Sequence, residues 1–550
     1  MKKILFLFVL CCSIQTYSQT EDAWVYFKDK PNSPTFLQDP LQMLSQRSLD
    51  RRTAQNILLD LKDVPVDVTY YSQLKNDANV TVLGKSKWLN AIHVQGTQTN
   101  IKELLNTFSF IESIDFADKS LNANAKKNGL KANAKNIGKK IVASHQNKFS
   151  ETTTDFNYGN AENQIKMLKG DYLHQQNFKG EGMQIAIIDA GFPNVNTLAA
   201  FKRIRDNNQI LGGYNFADRN TNFYARNNHG THVLSTIAGY LENEFVGTAP
   251  NAKFYLFISE IAETETVLEE TLWVEAAERA DSLGVNVINT SLGYTTFDNS
   301  NYSHTYSDMD GKTTFISRGA QIGASKGMIL VNAAGNEGND SWKYIGAPAD
   351  AVSVFSIGAV NSSKNIASFS SFGPTADNRI KPDVLAQGLS SAIINYSSGN
   401  VSTSNGTSFS SPIMAGVIAC FWQAFPSKTN FEIMDLIRKS ADRFNNPTDQ
   451  YGYGIPDFEA AYNQVLALDN FKNASIKIFP NPIKDTFSIS VNAYAVESLS
   501  IQIYNILGQL VFENSKLVSK TIDSKSLKNG IYILKIQYEN QQKTVKLIKQ

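Results

Sequence analysis

The chain is poor in cysteine and histidine, with three of the first and six of the second in 550 residues. Cys11 and Cys12 fall in the first 18 residues, which read as a leader, so Cys420 stands alone in the remainder and an internal disulfide framework is excluded. Cys420 lies among Ile418, Ala419, Phe421 and Trp422, a setting that predicts a buried helix position rather than a reactive thiol. An excess of either charge is also missing. Lys plus Arg number 52 against 51 Asp plus Glu, so no global field selects nucleic acid, an anionic membrane or an acidic substrate. Long apolar runs are absent too: the longest at the start, Ile4 to Cys12, is about half of the roughly 20 residues a membrane span needs.

What is present is the composition of a folded chain, 42% hydrophobic and 19% charged, at a length that predicts two to four domains. Met1-Lys2-Lys3, the apolar run and the polar stretch Ser13 to Gln19 have the three zones of a secretory signal peptide, placed at 1–18. The mature chain is then expected to be exported, with no transmembrane anchor. Residues 19–118 read as a small α+β unit: strands at Trp24 to Phe27, Val80 to Leu83, Ala91 to Val94 and Ile111 to Phe116, with an amphipathic helix from Thr99 to Phe108. Residues 119–155 read as a basic linker, with no acidic residue between Lys119 and Ser150; its lysines predict a solvated, protease-accessible connector rather than a nucleic-acid patch.

From residue 156 to 468, short β-branched runs such as Met183 to Ile188 and Met328 to Asn332 alternate with helices such as Thr266 to Leu283, the pattern of a parallel sheet covered on both faces. From 471 to 550 the helical period disappears, and alternating strands separated by Pro480-Asn481-Pro482, Leu507-Gly508-Gln509 and Lys528-Asn529-Gly530 predict a small β-sandwich.

Three islands of the α/β region carry chemistry. Ile185 to Ile188 is an apolar strand that ends in Asp189-Ala190-Gly191. Asn228-His229-Gly230-Thr231-His232 opens a helix, and its two histidines lack the spacing and the intervening Glu of a zinc peptidase. Gly406-Thr407-Ser408 opens another helix, where glycine permits a sharp turn and the helix dipole favours negative charge at the hydroxyl. Together they give Asp, His and Ser in one domain and in that order, the chain order of subtilisin and not of chymotrypsin or the α/β-hydrolases.

On these residues the chain resembles the subtilase family, and a fourth island, Ala333-Ala334-Gly335-Asn336-Glu337-Gly338, matches as well. The resemblance covers roughly Gly159 to Asn463. It implies a subtilisin-like α/β fold and a serine endopeptidase made as a zymogen, with Asp189, His229 and Ser408 as triad and Asn336 completing the oxyanion hole. It further implies Ser291, Leu292 and Gly293 as the edge that pairs with the backbone of protein or peptide substrates. Gly335 joins them in substrate binding, and Gly346 would form the base of a pocket with room for a large apolar side chain. Two positions depart from the family pattern: Ala190, where Ser or Thr is usual, removes a hydroxyl near Asp189, and Phe409 follows the nucleophile where Met is common.

By the same kind of resemblance, residues 19–118 are expected to be an inhibitory propeptide released by cleavage in the linker. The last 80 or so residues resemble a sorting domain of the type IX secretion system, on Ile478-Phe479-Pro480-Asn481-Pro482, Ile503 to Gly508 and Leu527 to Tyr532. This implies partnership with that machinery and a location outside, or on the surface of, a Gram-negative cell. No cofactor is required for the chemistry. Structural calcium is a family habit; Asp308-Met309-Asp310-Gly311 lacks a full ligand set, and no metal ligands are assigned. Two other readings compete, a catalytically silent binding domain and a processing protease with a single partner; retention of the triad and Asn336 argues against the first.

Overall fold

The computed structural model describes residues 20–122, 156–473, 476–491, 499–538 and 541–550; the leader at 1–18 and linker residues 123–155 lie outside the described residues. The chain divides into two compact units, residues 1–458 and 459–550.

The period-two runs near the start form an antiparallel sheet in the order β2-β3-β1-β4, built from β1 (Thr20–Phe27), β2 (Val80–Ser86), β3 (Ala91–Thr97) and β4 (Ile111–Phe116). Alternation sends Ala23, Val25 and Phe27 to one face, where they meet Ile92, Val94, Ile114 and Phe116 in a core of their own. Between β1 and β2 the chain makes α1 (Ser33–Gln38), α2 (Gln46–Ala54) and α3 (Val68–Lys75); α4 (Gln98–Thr107) follows β3 and closes the core with Ile101 and Leu104. Ser45 starts α2 by accepting from Ser48 N (3.2 Å), and Thr97 starts α4 by accepting from Asn100 N (3.2 Å). Lys119–Asn122 is a 3-10 turn tied back through Asn122 Oδ1 to Phe116 N (2.9 Å), so the first four residues of the expected linker are folded.

The second region is a parallel sheet of seven strands: β5 (Gln184–Asp189), β6 (Ile210–Asn215), β7 (Lys253–Ile258), β8 (Val287–Thr290), β9 (Ile329–Ala333), β10 (Phe355–Val360) and β11 (Val384–Gln387). Their order is β11-β10-β9-β8-β5-β7-β6, every neighbouring pair parallel. Ile185 to Ile188 are fully buried because helices cover both faces: α5 (His229–Ala238) and α8 (Thr407–Ala424) pack together on one, α6 (Leu268–Leu283) and α7 (Phe315–Ser325) on the other. α8 is buried continuously from Thr407 to Trp422, as a central helix that is apolar from Pro412 to Trp422 should be, and Cys420 within it has its thiol pushed up by burial.

A further helix, α9 (Phe458–Asn473), runs through the stretch where the sequence pattern passes from helical to alternating. Beyond it the strands form two antiparallel sheets, Ile476–Phe479, Thr486–Val491 and Thr521–Asp523 in one, and Leu510–Asn514, Ser500–Asn505, Gly530–Tyr538 and Gln541–Lys549 in the other. Phe487, Ile489 and Ile522 from the first share a core with Ile501, Ile503, Leu534 and Leu547 from the second, which makes the expected sandwich. Leu510–Asn514 and Thr521–Asp523 are strands that the sequence pattern does not announce; they are short and mostly exposed.

Candidate active site

In an open parallel sheet the side chains able to meet a ligand are those beyond the carboxyl ends of the strands. β5 ends on Asp189, β8 runs into Ser291-Leu292-Gly293 and β9 into Ala334-Gly335-Asn336, while α5 and α8 begin there with His229 and Ser408 near their first residues.

Asp189 is fully buried, and its Oδ1 accepts from His229 Nδ1 (2.7 Å) and from Ala190 N (2.7 Å). With Nδ1–H given to the carboxylate, Nε2 is the ring nitrogen free to accept a proton. Burial alone would lower the His229 pKa, but the charge of Asp189 and its hydrogen bond outweigh that and hold it above the ordinary value. The other carboxylate oxygen, Asp189 Oδ2, is buried with no hydrogen-bond partner among the described residues, and Ala190, next in the chain, has no hydroxyl to offer one. His232 behaves differently: burial and the neighbouring His229 lower its pKa, and its Nε2 accepts from Tyr396 N (3.2 Å). It is a neutral structural imidazole.

Ser408 is 7% exposed and its Oγ donates to the Ser291 carbonyl (3.1 Å), while Ser291 Oγ donates to the Ser408 carbonyl (2.9 Å). Ser291 is thus stitched to α8 and supplies the resting partner of the hydroxyl. The ring of Phe409 lies 6.1 Å from that of His229, centroid to centroid.

Asn336 is oriented from behind. Its Oδ1 accepts from Thr407 N (2.9 Å) and lies 3.1 Å from Thr407 Oγ1, which leaves the Nδ2 donors outward. Thr407 Oγ1 also accepts from Gly335 N (3.1 Å). Gly335 has φ +112°, and a Cβ there would stand 2.4 Å from Glu337 Oε2 and 2.7 Å from Ser371 Oγ, so only glycine fits.

Between these elements is a pocket of about 120 Å³ lined by Ser291, Leu292, Gly293, Gly335, Asn336, Gly346 and Ser408, with Thr295 and Glu337 completing its wall. The expected substrate-binding residues therefore converge on one cavity beside the nucleophile. Thr295 Cγ2 stands 3.0 Å from where a Cβ of Gly346 would be, so the pocket is narrower and more polar than Gly346 alone suggests.

The carboxylates of the 308–311 segment are engaged in turns: Asp308 pairs with Lys119 (2.8 Å) and accepts from Thr305 N (2.7 Å), while Asp310 accepts from Lys312 N and Thr313 N. Among the described residues, three carboxyl groups with oxygens within 4.8 Å of one another are Glu260, Glu265 and Glu269, just past β7. Burial and mutual repulsion push Glu260 well up and Glu265 to about 7, and Glu260 is held by Tyr294 OH (2.8 Å).

Sequence reasoning missed Thr407 as the residue that aims Asn336, although it stands inside the quoted Gly-Thr-Ser motif. It also missed the polar row Thr271, Glu275, Glu278 and Ser282 on α6. The three- and four-residue spacing of that row was the signal for a covered polar face. Glu278 accepts from Ser86 Oγ (2.6 Å), Trp88 N (2.9 Å) and Lys87 N (3.1 Å), and Thr271 Oγ1 from Trp24 Nε1 (2.9 Å), so the N-terminal sheet sits on this row.

Comparison with known proteins gives three family matches: the subtilase family over residues 180–454, the peptidase S8 propeptide domain of Bacteroidota over 22–135, and the secretion system C-terminal sorting domain over 477–550. The chain is 30% identical to Subtilisin DY of Bacillus licheniformis over 300 residues, 54% of this chain and 97% of the relative. It is 31% identical to Subtilisin E of Bacillus subtilis (strain 168) over 305 residues, 54% of this chain and 70% of the relative. Among solved structures, MycP1 with its N-terminal propeptide removed matches with 21% identity and a TM-score of 0.43, over 55% of this chain and 96% of that one.

Proposed function

Since the chain belongs to the subtilase family, we propose that it hydrolyses peptide bonds through Asp189, His229 and Ser408, with Asn336 and the Ser408 N–H holding the oxyanion. It is a serine-type endopeptidase made with a propeptide and carrying a type IX sorting domain, secreted from or held on the surface of a Gram-negative bacterium. No helix among the described residues is long and apolar enough to cross a membrane.

The observation that carries the mechanism is the buried Asp189 carboxylate 2.7 Å from His229 Nδ1, next to an Asn336 amide whose oxygen is already taken by Thr407. Ser408 Oγ turns from the Ser291 carbonyl to His229 Nε2, gives up its proton there and attacks the scissile carbonyl. Asp189 stabilises the resulting imidazolium. The carbonyl oxygen, now negative, receives Asn336 Nδ2–H and the Ser408 N–H at the positive end of α8. His229 then passes the proton to the leaving amine, and water, deprotonated by the same imidazole, releases the acyl group. The substrate strand lies along Ser291-Leu292-Gly293, and the side chain before the scissile bond enters the pocket bounded by Gly346, Thr295 and Glu337. No metal takes part in these steps.

Wild type and Ser408→Ala, expressed from Gln19 onward, test this. Wild type should cut its propeptide, hydrolyse casein and take a fluorophosphonate label at Ser408. A Ser408→Ala protein that matures and digests casein equally would refute the triad, and a folded wild type that takes no label would favour a silent binding domain. Deleting 471–550 should retain the protease in the cell; undiminished secretion would remove the sorting role.

A further inference from the structure

We propose that α2 and the turn behind it form a second anchor of the propeptide, seated at the opposite end of the parallel sheet from Ser408, which keeps the propeptide bound after its connection to the peptidase is cut. The inference rests on the peptidase reading above and adds where latency is held.

The place follows from topology. α6 ends at Leu283 and leads into the start of β8 at Val287; α7 ends at Ser325 and leads into the start of β9 at Ile329. Asp281 and Lys326 are therefore at the amino ends of strands whose carboxyl ends carry Ser291 and Asn336. Strand length at about 3.3 Å per residue separates the two. A segment docked here leaves the catalytic cleft open.

The contact itself is a network of charge that is buried except at Asp60, at its rim. Arg51 and Arg52 of α2 both pair with Asp281, the second at 2.8 Å, and Asp281 is fully buried. Arg52 also pairs with Asp63 (2.8 Å), and Asp63 together with Asp60 takes Lys326 Nζ at 3.0 and 2.9 Å, with Lys326 only 2% exposed. The propeptide thus supplies both signs and the peptidase supplies both signs, so a shifted register leaves like charges facing or a charge unpaired. Uncharged bonds surround the network: Ser48 Oγ to the Asp281 carbonyl (2.7 Å), Gln55 Nε2 to the Gly327 carbonyl (2.8 Å) and Ser45 N to the Ser282 carbonyl (2.8 Å). The sheet contact on Glu278 and Thr271 is made by Trp24 and residues 86–88, and this one by residues 45–63. The two are separate stretches of the propeptide that both reach α6, the second also reaching the end of α7.

Removing one member of a buried pair leaves the other charge stranded, and the loss appears mainly in the dissociation rate. The full chain tests this as wild type, as Asp281→Asn and as the double variant Arg51→Gln with Arg52→Gln. Maturation is followed by gel for the cut, by size-exclusion for co-elution of the cut propeptide, and by casein hydrolysis for release of activity. The expected result is cutting at the wild-type rate, loss of the propeptide about 100-fold faster, and the same final activity. A folded variant that retains its cut propeptide as long as wild type overturns the proposal. Gln55→Ala, at the rim, covers the case in which the charge variants do not fold: its delay should shorten about fivefold, and an unchanged delay also overturns the proposal. If wild type itself neither cuts nor hydrolyses casein, the catalytic reading of Ser408 fails and the anchor's role falls with it.

Discussion

Around Ser408, at the carboxyl ends of β5, β8 and β9, the described groups that meet are one ion pair, His229 with Asp189, and a set of neutral hydrogen bonds around Thr407, Asn336 and Ser291. At the amino ends of the same strands, charged side chains from the propeptide and the peptidase are buried against one another. The first arrangement keeps its charge near a cleft where it can be used, with the His229 side chain 30% exposed. The second removes charge from water, where its strength depends on every member being present. The proposed sites of catalysis and of latency are thus separated in space and in the kind of force they use.

That contrast can be broken or sharpened. The largest effect should come from Asp189→Asn, which withdraws the carboxylate paired with His229: kcat/KM should fall about 10⁴-fold. In the wild type the acid limb of kcat/KM should lie above pH 6.5, because the His229 pKa is raised; the proton on His229 also adds stability below pH 6.5 that is lost as pH rises through the raised value. In Asp189→Asn the residual limb should move down, and a pH profile reads both. Asn336→Leu should cost about 10²- to 10³-fold in kcat with KM little changed, since the bond forms only with the developing oxyanion. Gly84→Val acts on the other face: a Cβ at Gly84 would stand 2.7 Å from Thr271 Cγ2, so the propeptide should leave about tenfold sooner while the kcat of the released enzyme is unchanged. The smallest effect belongs to Glu265→Gln. Its carboxyl is raised to about 7, so ionisation costs stability progressively from about pH 4.5 through about pH 7. The variant should melt higher than wild type above pH 7 and alike below pH 4.5, which thermal unfolding at the two pH values measures.

The candidate catalytic residues were legible because each sits in a short local pattern: a strand that stops on Asp189-Ala190-Gly191, or a helix that opens on His229 or on Gly406-Thr407-Ser408. Strand existence was legible for the same reason, since Ile185 to Ile188 and Ile111 to Phe116 are runs with one period. Leu510–Asn514 and Thr521–Asp523 were not, being short strands whose pairing rather than composition makes them strands. The docking of the propeptide was illegible as well. Arg52 and Asp281 are separated by 229 positions, and a Glu or Asp on a helix reads as solvated until something is seen to cover it.

The sequence by itself determined the order Asp189, His229, Ser408, the period of the elements that carry them and the division into propeptide, α/β and β regions, because those are local patterns of polarity and turn chemistry. Tertiary structure alone decided that Thr407 aims Asn336, that Asp189 Oδ2 goes unpaired among the described residues, that Thr295 narrows the Gly346 pocket, and that α2 grips the far end of the sheet. Each of these is a distance between residues far apart in the chain or a burial imposed by another element, and no local pattern encodes either.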